Sequence, residues 1–105
     1  MLARFIEYFF GSPRSPGWRK VQQEHLKKEP NCVICDGVED LNVHHIEPFH
    51  IHPEKELDPN NLITLCNHNR CHYTFGHLMS WKSWNADVRA DVALWHEKIK
   101  NRPGV

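Results

Sequence analysis

Apolar positions recur at helical spacing at both ends of the chain and at strand spacing in the middle. Trp18, Val21, His25 and Leu26 fall three and four residues apart, which predicts a helix over residues 16–29 with these four along one stripe. Arg19, Lys20, Lys27 and Lys28 occupy its polar side, Ser15 and Pro16 suit a cap and first turn, and Pro30 stops it. A second stripe, Trp84, Val88, Val92, Trp95 and Ile99, predicts a polar helix with apolar anchors over residues 81–101. Between them the pattern shortens. Residues 41–46 alternate as a half-exposed strand does, ending before Pro48, and residues 61–65 read as a second strand leading into Cys66. A short helix from about residue 70 to 78 would carry His72 in its first turns. Residues 47–60, with Pro48, Pro53 and Pro59, form the loop between the strands. Residues 2–10 suit a short amphipathic helix or an apolar strap closed by Gly11, with a turn-rich linker over 12–17. The elements add up to a small α+β fold in one domain, 1–105: a helical arm over 1–30, a core over 31–80 and a C-terminal helix over 81–105.

Length sharpens this reading. A chain of 105 residues buries only about two-thirds of its unfolded surface, so a structural metal is a natural supplement to its core. No run approaches the roughly 20 apolar residues of a membrane span. Arg4 and Glu7 interrupt the apolar N-terminus, which therefore lacks the continuous core of a signal peptide. The expectation is a soluble, cytoplasmic protein whose thiols stay reduced. Net charge is zero but unevenly placed: residues 1–30 carry six basic and three acidic side chains, 31–60 one and seven, and 61–105 six and three. Two basic arms on one face could track a phosphate backbone, although charge alone favours ordinary solvated helix faces.

The four cysteines change the picture most. Cys32-x2-Cys35 and Cys66-x4-Cys71 are two close pairs separated by thirty residues. In a reducing compartment such pairs favour a metal over disulfides, and four thiolates form the tetrahedron that Zn²⁺ takes in a closed structural site. With every position filled by protein, that ion holds the fold and does no chemistry. The wider second pair leaves open whether His68 or His72 replaces a cysteine. Gly37, after the first pair, is available for a positive φ in the turn.

Inside this frame lie His44, His45, Asn61 and His72. A neutral histidine can take a proton from water near neutral pH, and an ion held by other histidines can neutralise a leaving oxygen, which together are what phosphodiester hydrolysis needs. With Cys32, Cys35, Val43-His44-His45-Ile46, Asn61-Leu62, Leu65-Cys66 and Cys71-His72, the stretch 32–72 resembles the HNH endonucleases and their ββα-metal, treble-clef-like fold. The resemblance implies that His44 and His72 bind a catalytic Mg²⁺, Mn²⁺ or other divalent ion. It further implies that His45 activates water, that Asn61 orients His45 directly or through its backbone, and that the substrate is DNA. The second cysteine pair departs from the family's commoner spacing of two, which puts the choice between His68 and His72 in question; His72, opening the helix, is preferred.

Two geometric expectations follow. His77, five residues past His72, lies about 500° around an α-helix, out of register as a third ligand. His44 and His45 point to opposite faces of a strand, so both address one phosphate only if the strand ends or bulges there. Arg70, Lys82 and Arg89 are the candidate phosphate contacts. His50 and His52 read as solvated loop residues, and His25 and His96 as surface or boundary positions. The tryptophans and Tyr73 could stack on bases, but at helical spacing they read as core. One site cuts one strand, so a monomer is expected to nick duplex DNA, with loose sequence preference or dependence on a partner such as a phage packaging machine. The alternative is a catalytically silent zinc module that binds DNA or protein, which needs the cysteines but neither His45 nor Asn61.

Overall fold

The computed structural model describes residues 15–104; the helix or strap expected over 2–10 and the first part of the linker lie outside the described residues. The order is α1 (Trp18–Lys28), β1 (Leu41–His45), two single 3₁₀ turns (Pro53–Lys55 and Pro59–Asn61), β2 (Leu62–Cys66), a π-helical turn (His72–Gly76) and α2 (Val88–Lys100). It is a small α+β arrangement around a two-stranded antiparallel sheet, in which Leu41 pairs with Cys66 and His45 with Leu62. Among the described residues no helix is long and apolar enough to cross a membrane.

α1 starts two residues later than its pattern suggests. Its N-cap is Gly17, with no side-chain cap, because both the amide and the hydroxyl of Ser15 are taken by the carboxylate of Glu56, 41 residues away. At the other end His25 is buried and meets the Glu29 carboxylate at 2.9 Å. This corrects its expected surface position.

β2 is buried along its whole length, and among the described residues its edge away from β1 is met by side chains and loop. The Thr64 amide donates to Glu29 Oε1 at 2.8 Å, its carbonyl accepts from Val33 N at 3.1 Å, and the Leu62 carbonyl accepts from Arg89 at 2.6 Å. An edge of this kind must be satisfied or it recruits other strands. The core lies on this side: Cys32, Ile34, Ile63, Leu65, Cys66, Cys71, Val88 and Val92, with Phe75 and Ile99 packed against them.

α2 is shorter than the 81–101 expected, because Asn85 turns the chain before it. Asn85 is buried; its Oδ1 accepts from Asp87 N at 3.0 Å, as in an Asx turn, and its carbonyl accepts from Val88 N. In the first cysteine knuckle the left-handed position belongs to Asp36 (φ 63°) rather than Gly37. Gly37 serves instead by size, since a Cβ there would stand 3.3 Å from Cys35 Sγ.

Candidate metal centres and catalytic pocket

The sulfurs of Cys32, Cys35, Cys66 and Cys71 lie within 4.8 Å of one another, with no disulfide between them. Three of the four residues are buried. The two additional residues of the second knuckle have a visible use. Asn69 donates its amide N–H to Cys66 Sγ and its side-chain Nδ2 to Cys35 Sγ, both at 3.4 Å, the kind of contact that supports thiolate charge. Arg70 closes the knuckle in a left-handed conformation, φ 61°. Without an ion the thiols share protons: a hydrogen bond from Cys71 pulls Cys32 down to about 4, while that same pairing and burial push Cys71 up. Four sulfurs that cannot all keep their protons at this spacing suit a soft divalent cation.

A second cluster stands beside the first. Nitrogens of His44, His72 and His77 also lie within 4.8 Å of one another. The inclusion of His77 corrects the α-helical argument against it. Residues 72–76 wind as a π-helix, closed by His77 N to His72 O at 3.2 Å, and an i→i+5 turn carries residue i+5 round beside residue i. The cost of that turn is displaced carbonyls, and Asn85 meets it: Phe75 O accepts from Asn85 Nδ2 at 3.1 Å and Gly76 O from Asn85 N at 2.9 Å. Gly76 is required by proximity, because a Cβ would stand 3.2 Å from His44 Nε2 and 3.0 Å from Leu65. His68, the other candidate, is exposed and pairs with Glu39 at 3.4 Å.

The rings of this trio are aimed by their neighbours. Nδ1–H of His72 donates to Asn67 Oδ1 at 2.9 Å and that of His77 to the Ser83 carbonyl at 2.7 Å, leaving Nε2 of each as the ligand nitrogen. His44 Nδ1 and His72 Nε2 are 3.1 Å apart, close to the roughly 3.3 Å edge of a tetrahedron with 2.0–2.1 Å metal–nitrogen bonds. The ring's other nitrogen, His44 Nε2, is buried on the Gly76 side and has no hydrogen-bond partner among the described residues. Burial first, and then the neighbouring imidazoles, hold His44 well below the ordinary histidine range and His72 at about 4; burial also lowers His77. All three are neutral at physiological pH, the form that binds a metal. Chemistry, aim and spacing all fit a divalent ion.

His45 closes β1 on the opposite face, as alternation requires, and the strand ends with it. Its Nε2 is 2.9 Å from the Glu56 carbonyl. A carbonyl only accepts, so Nε2 carries the proton and Nδ1 is the ring's basic nitrogen. Trp18 stacks on the ring at 4.6 Å and 28°. The buried Glu56 is held in turn by Ser15, which ties α1 and its Trp18 to the interstrand loop. Asn61 works on the backbone: Nδ2 donates to the carbonyls of Glu47 (3.0 Å) and Lys55 (3.2 Å), and Oδ1 accepts from Glu47 N (2.8 Å). Ile46 N donates to its carbonyl, so the chain leaving His45 is clamped on both sides. Of these, Glu56, Trp18, Ser83 and Asn85 escaped the motif, being ordinary residue types brought in from outside it, and Asn67 and Asn69 lie inside the second knuckle but carry no spacing signal of their own.

The three candidate phosphate contacts separate. All three are exposed, and they differ in what they touch. Arg89 is engaged internally, by Glu29 at 3.0 Å and the Leu62 carbonyl at 2.6 Å, and is a clamp between α1, β2 and α2. His50 stands edge-on to Trp84 at 6.3 Å, His52 pairs with Glu54, and His96 pairs with Asp36 at 3.0 Å. Residues 31–78 match the family model described as HNH endonuclease. No curated protein and no solved structure matches the chain.

Proposed function

From the HNH endonuclease domain carried at residues 31–78, we propose that the protein is a metal-dependent DNA endonuclease that hydrolyses phosphodiester bonds and, as a monomer, nicks duplex DNA. The observation that carries this reading is the coexistence of two differently made clusters, one of four sulfurs and one of three histidines, with His45 next to His44 at the end of β1. In this reading the quartet Cys32, Cys35, Cys66 and Cys71 holds a structural Zn²⁺, and β1, β2 and the π-helical turn form the ββα-metal, treble-clef-like unit. His44, His72 and His77 would hold a divalent ion, Mg²⁺, Mn²⁺ or another, three imidazoles suiting a transition metal better than Mg²⁺, and when bound it would supply positive charge to the phosphate and its leaving oxygen.

The protein's own groups do the rest. Nδ1 of His45 takes a proton from water, its tautomer fixed by the Glu56 carbonyl. Trp18 keeps the ring in plane, and Asn61 positions the base indirectly by holding the Glu47 and Lys55 backbone. Arg70 and Lys82 are left to bind phosphates. The test is supercoiled plasmid with Mg²⁺ or Mn²⁺, with and without chelator. Wild type converts it to open circles, chelator stops this, and His45→Ala lowers the rate by a factor on the order of 10²–10⁴. A His45→Ala protein that cuts as fast as its parent removes His45 from the mechanism; a wild type that never cuts leaves the silent zinc module.

A further inference from the structure

The helical spacing that placed Trp81 in the core fails for it: residues 81–87 are not helical, and Trp81 is 51% exposed. Its indole lies against the histidine trio, 4.9 Å from His77 and 5.2 Å from His72, and against Tyr73 at 4.9 Å. Arg70 sits over the far ring, 5.7 Å from the Tyr73 centroid, and Lys82 follows Trp81 in the chain. The segment that delivers Trp81 is unusual as well. Leu78 and Met79 are both left-handed, with φ of 55° and 65°, and both are exposed, at 53% and 65%. Such backbone is unfavourable for residues with a Cβ and persists only where the surroundings determine it. Here Met79 N donates to Tyr73 O at 2.9 Å and Ser80 N to His77 O at 3.1 Å.

Resting on the endonuclease reading, we propose that Leu78, Met79 and Trp81 form a base-unstacking wedge, so that the preferred substrate is DNA with an unpaired or readily unstacked base beside the scissile phosphate. A phosphate at the trio brings its flanking base, one sugar away, within reach of the indole. The face of a base is open to an aromatic ring only when the base has left the helical stack, and Leu and Met are among the side chains that pry base steps apart. The flanking Arg70 and Lys82 favour a nucleic acid over an apolar protein partner.

Binding isolates the wedge from the chemistry. The His45→Ala protein, slowed enough for DNA to stay essentially intact over a short titration, is titrated in Mn²⁺ with labelled single strands, duplexes carrying one mismatch, and continuous duplexes, read by fluorescence anisotropy. The mismatched duplex and the single strand bind about ten-fold more tightly than the continuous duplex, one stacked base being worth that much. Trp81→Ala brings the ratio within two-fold, and Trp81→Phe restores it. Because Trp81 touches two of the histidines, the pair Leu78→Ser and Met79→Ser serves as the second variant, with Mn²⁺ affinity measured by calorimetry; it also loses the ratio while Mn²⁺ still binds. Equal affinity for all three DNAs overturns the proposal. So does a pair of variants that alters only self-association, which makes the patch a protein interface. Plasmid cleavage that persists without any preference sinks the wedge and spares the nuclease; a preference without cleavage by wild type does the reverse.

Discussion

The cysteine quartet and the histidine trio are neighbours, joined by the Cys71–His72 peptide and by the loop containing Cys66 and Asn67, yet they are built differently. The quartet is part of the hydrophobic core: Cys32, Cys66 and Cys71 pack with Ile34, Ile63, Leu65, Val88 and Val92. All four candidate ligands are thiols, and their support is amide-to-sulfur contacts from Asn69. The trio offers three ligands, the number typical of a catalytic site with a position left for water or substrate, and its outer wall is the half-exposed Trp81. One site joins the two ends of a long loop. The other spends structural order, in a π-helical turn and a buried Asn85, to hold three neutral imidazoles together. Under the proposed function, sulfur, burial and closure go with holding, and imidazole, partial exposure and an open position go with chemistry.

The sharpest way to break that contrast is to remove one member from each cluster. Cys35→Ser, or removal of metal by a strong chelator, takes away an interaction whose apparent worth for structural zinc, about 10–16 kcal/mol, equals or exceeds the whole stability of a typical domain, about 5–15 kcal/mol. The cooperative thermal transition is expected to vanish. His77→Ala should leave a folded protein with a cooperative melt, weakened Mn²⁺ binding and cleavage reduced at least ten-fold. If both variants melt alike, the division of labour is wrong.

How much of this could be read from residue order follows the same division. The quartet and the strands were legible because their signals are local: paired cysteine spacing, and alternation from Leu41 to His45 matching Leu62 to Cys66. His44, His45, Asn61 and His72 were legible as a motif. His77 was not, because the argument against it assumed α-helical winding, and the π-helical turn depends on Asn85, thirteen residues beyond His72. The partners of His45 were hidden for a similar reason: Trp18 and Glu56 are 27 and 11 residues away, and neither is a residue type that marks a site. Arg89 carries charge near the motif in sequence, but its pairing with Glu29 across 60 residues is a tertiary fact.

Acid should act on the trio before it acts on the helix clamp. His44, His72 and His77 all have folded pKa values below the ordinary 6.5, chiefly through burial. The unfolded chain therefore takes up protons first. Stability is complete above about pH 6.5 and falls as the pH drops toward the folded value of about 4 for His72. His72 alone contributes about 3 kcal/mol across that window at 1.36 kcal/mol per pKa unit. Glu29 behaves in the opposite range. Burial raises its pKa, but the Thr64 amide and Arg89 outweigh this and lower it below 4.5, so its contribution is lost only under more acid conditions. Urea midpoints measured on protein with the quartet loaded and the trio metal-free should fall between pH 7 and pH 5, and His72→Gln should flatten that fall. A flat profile in the parent contradicts a buried neutral trio.

The smallest expected effect separates two arginines that share a charge but not a region. Arg89→Ala removes a partly exposed ion pair to Glu29 and a hydrogen bond to the Leu62 carbonyl. Surface pairs are worth about 0–1 kcal/mol and a charged hydrogen bond about 1.5–3 kcal/mol, so the melting temperature should drop by several degrees while DNA affinity holds. Arg70→Ala breaks no such clamp. Its guanidinium lies over Tyr73 on the side of the trio, and stability should hold while DNA binding weakens uniformly across sequences and the slope of log affinity against log salt falls by about one. The two measurements, a melt and a salt titration, should therefore exchange outcomes between the two variants. If Arg89→Ala lowers the salt slope as Arg70→Ala does, the basic groups act as one surface and the clamp side of the molecule also meets DNA.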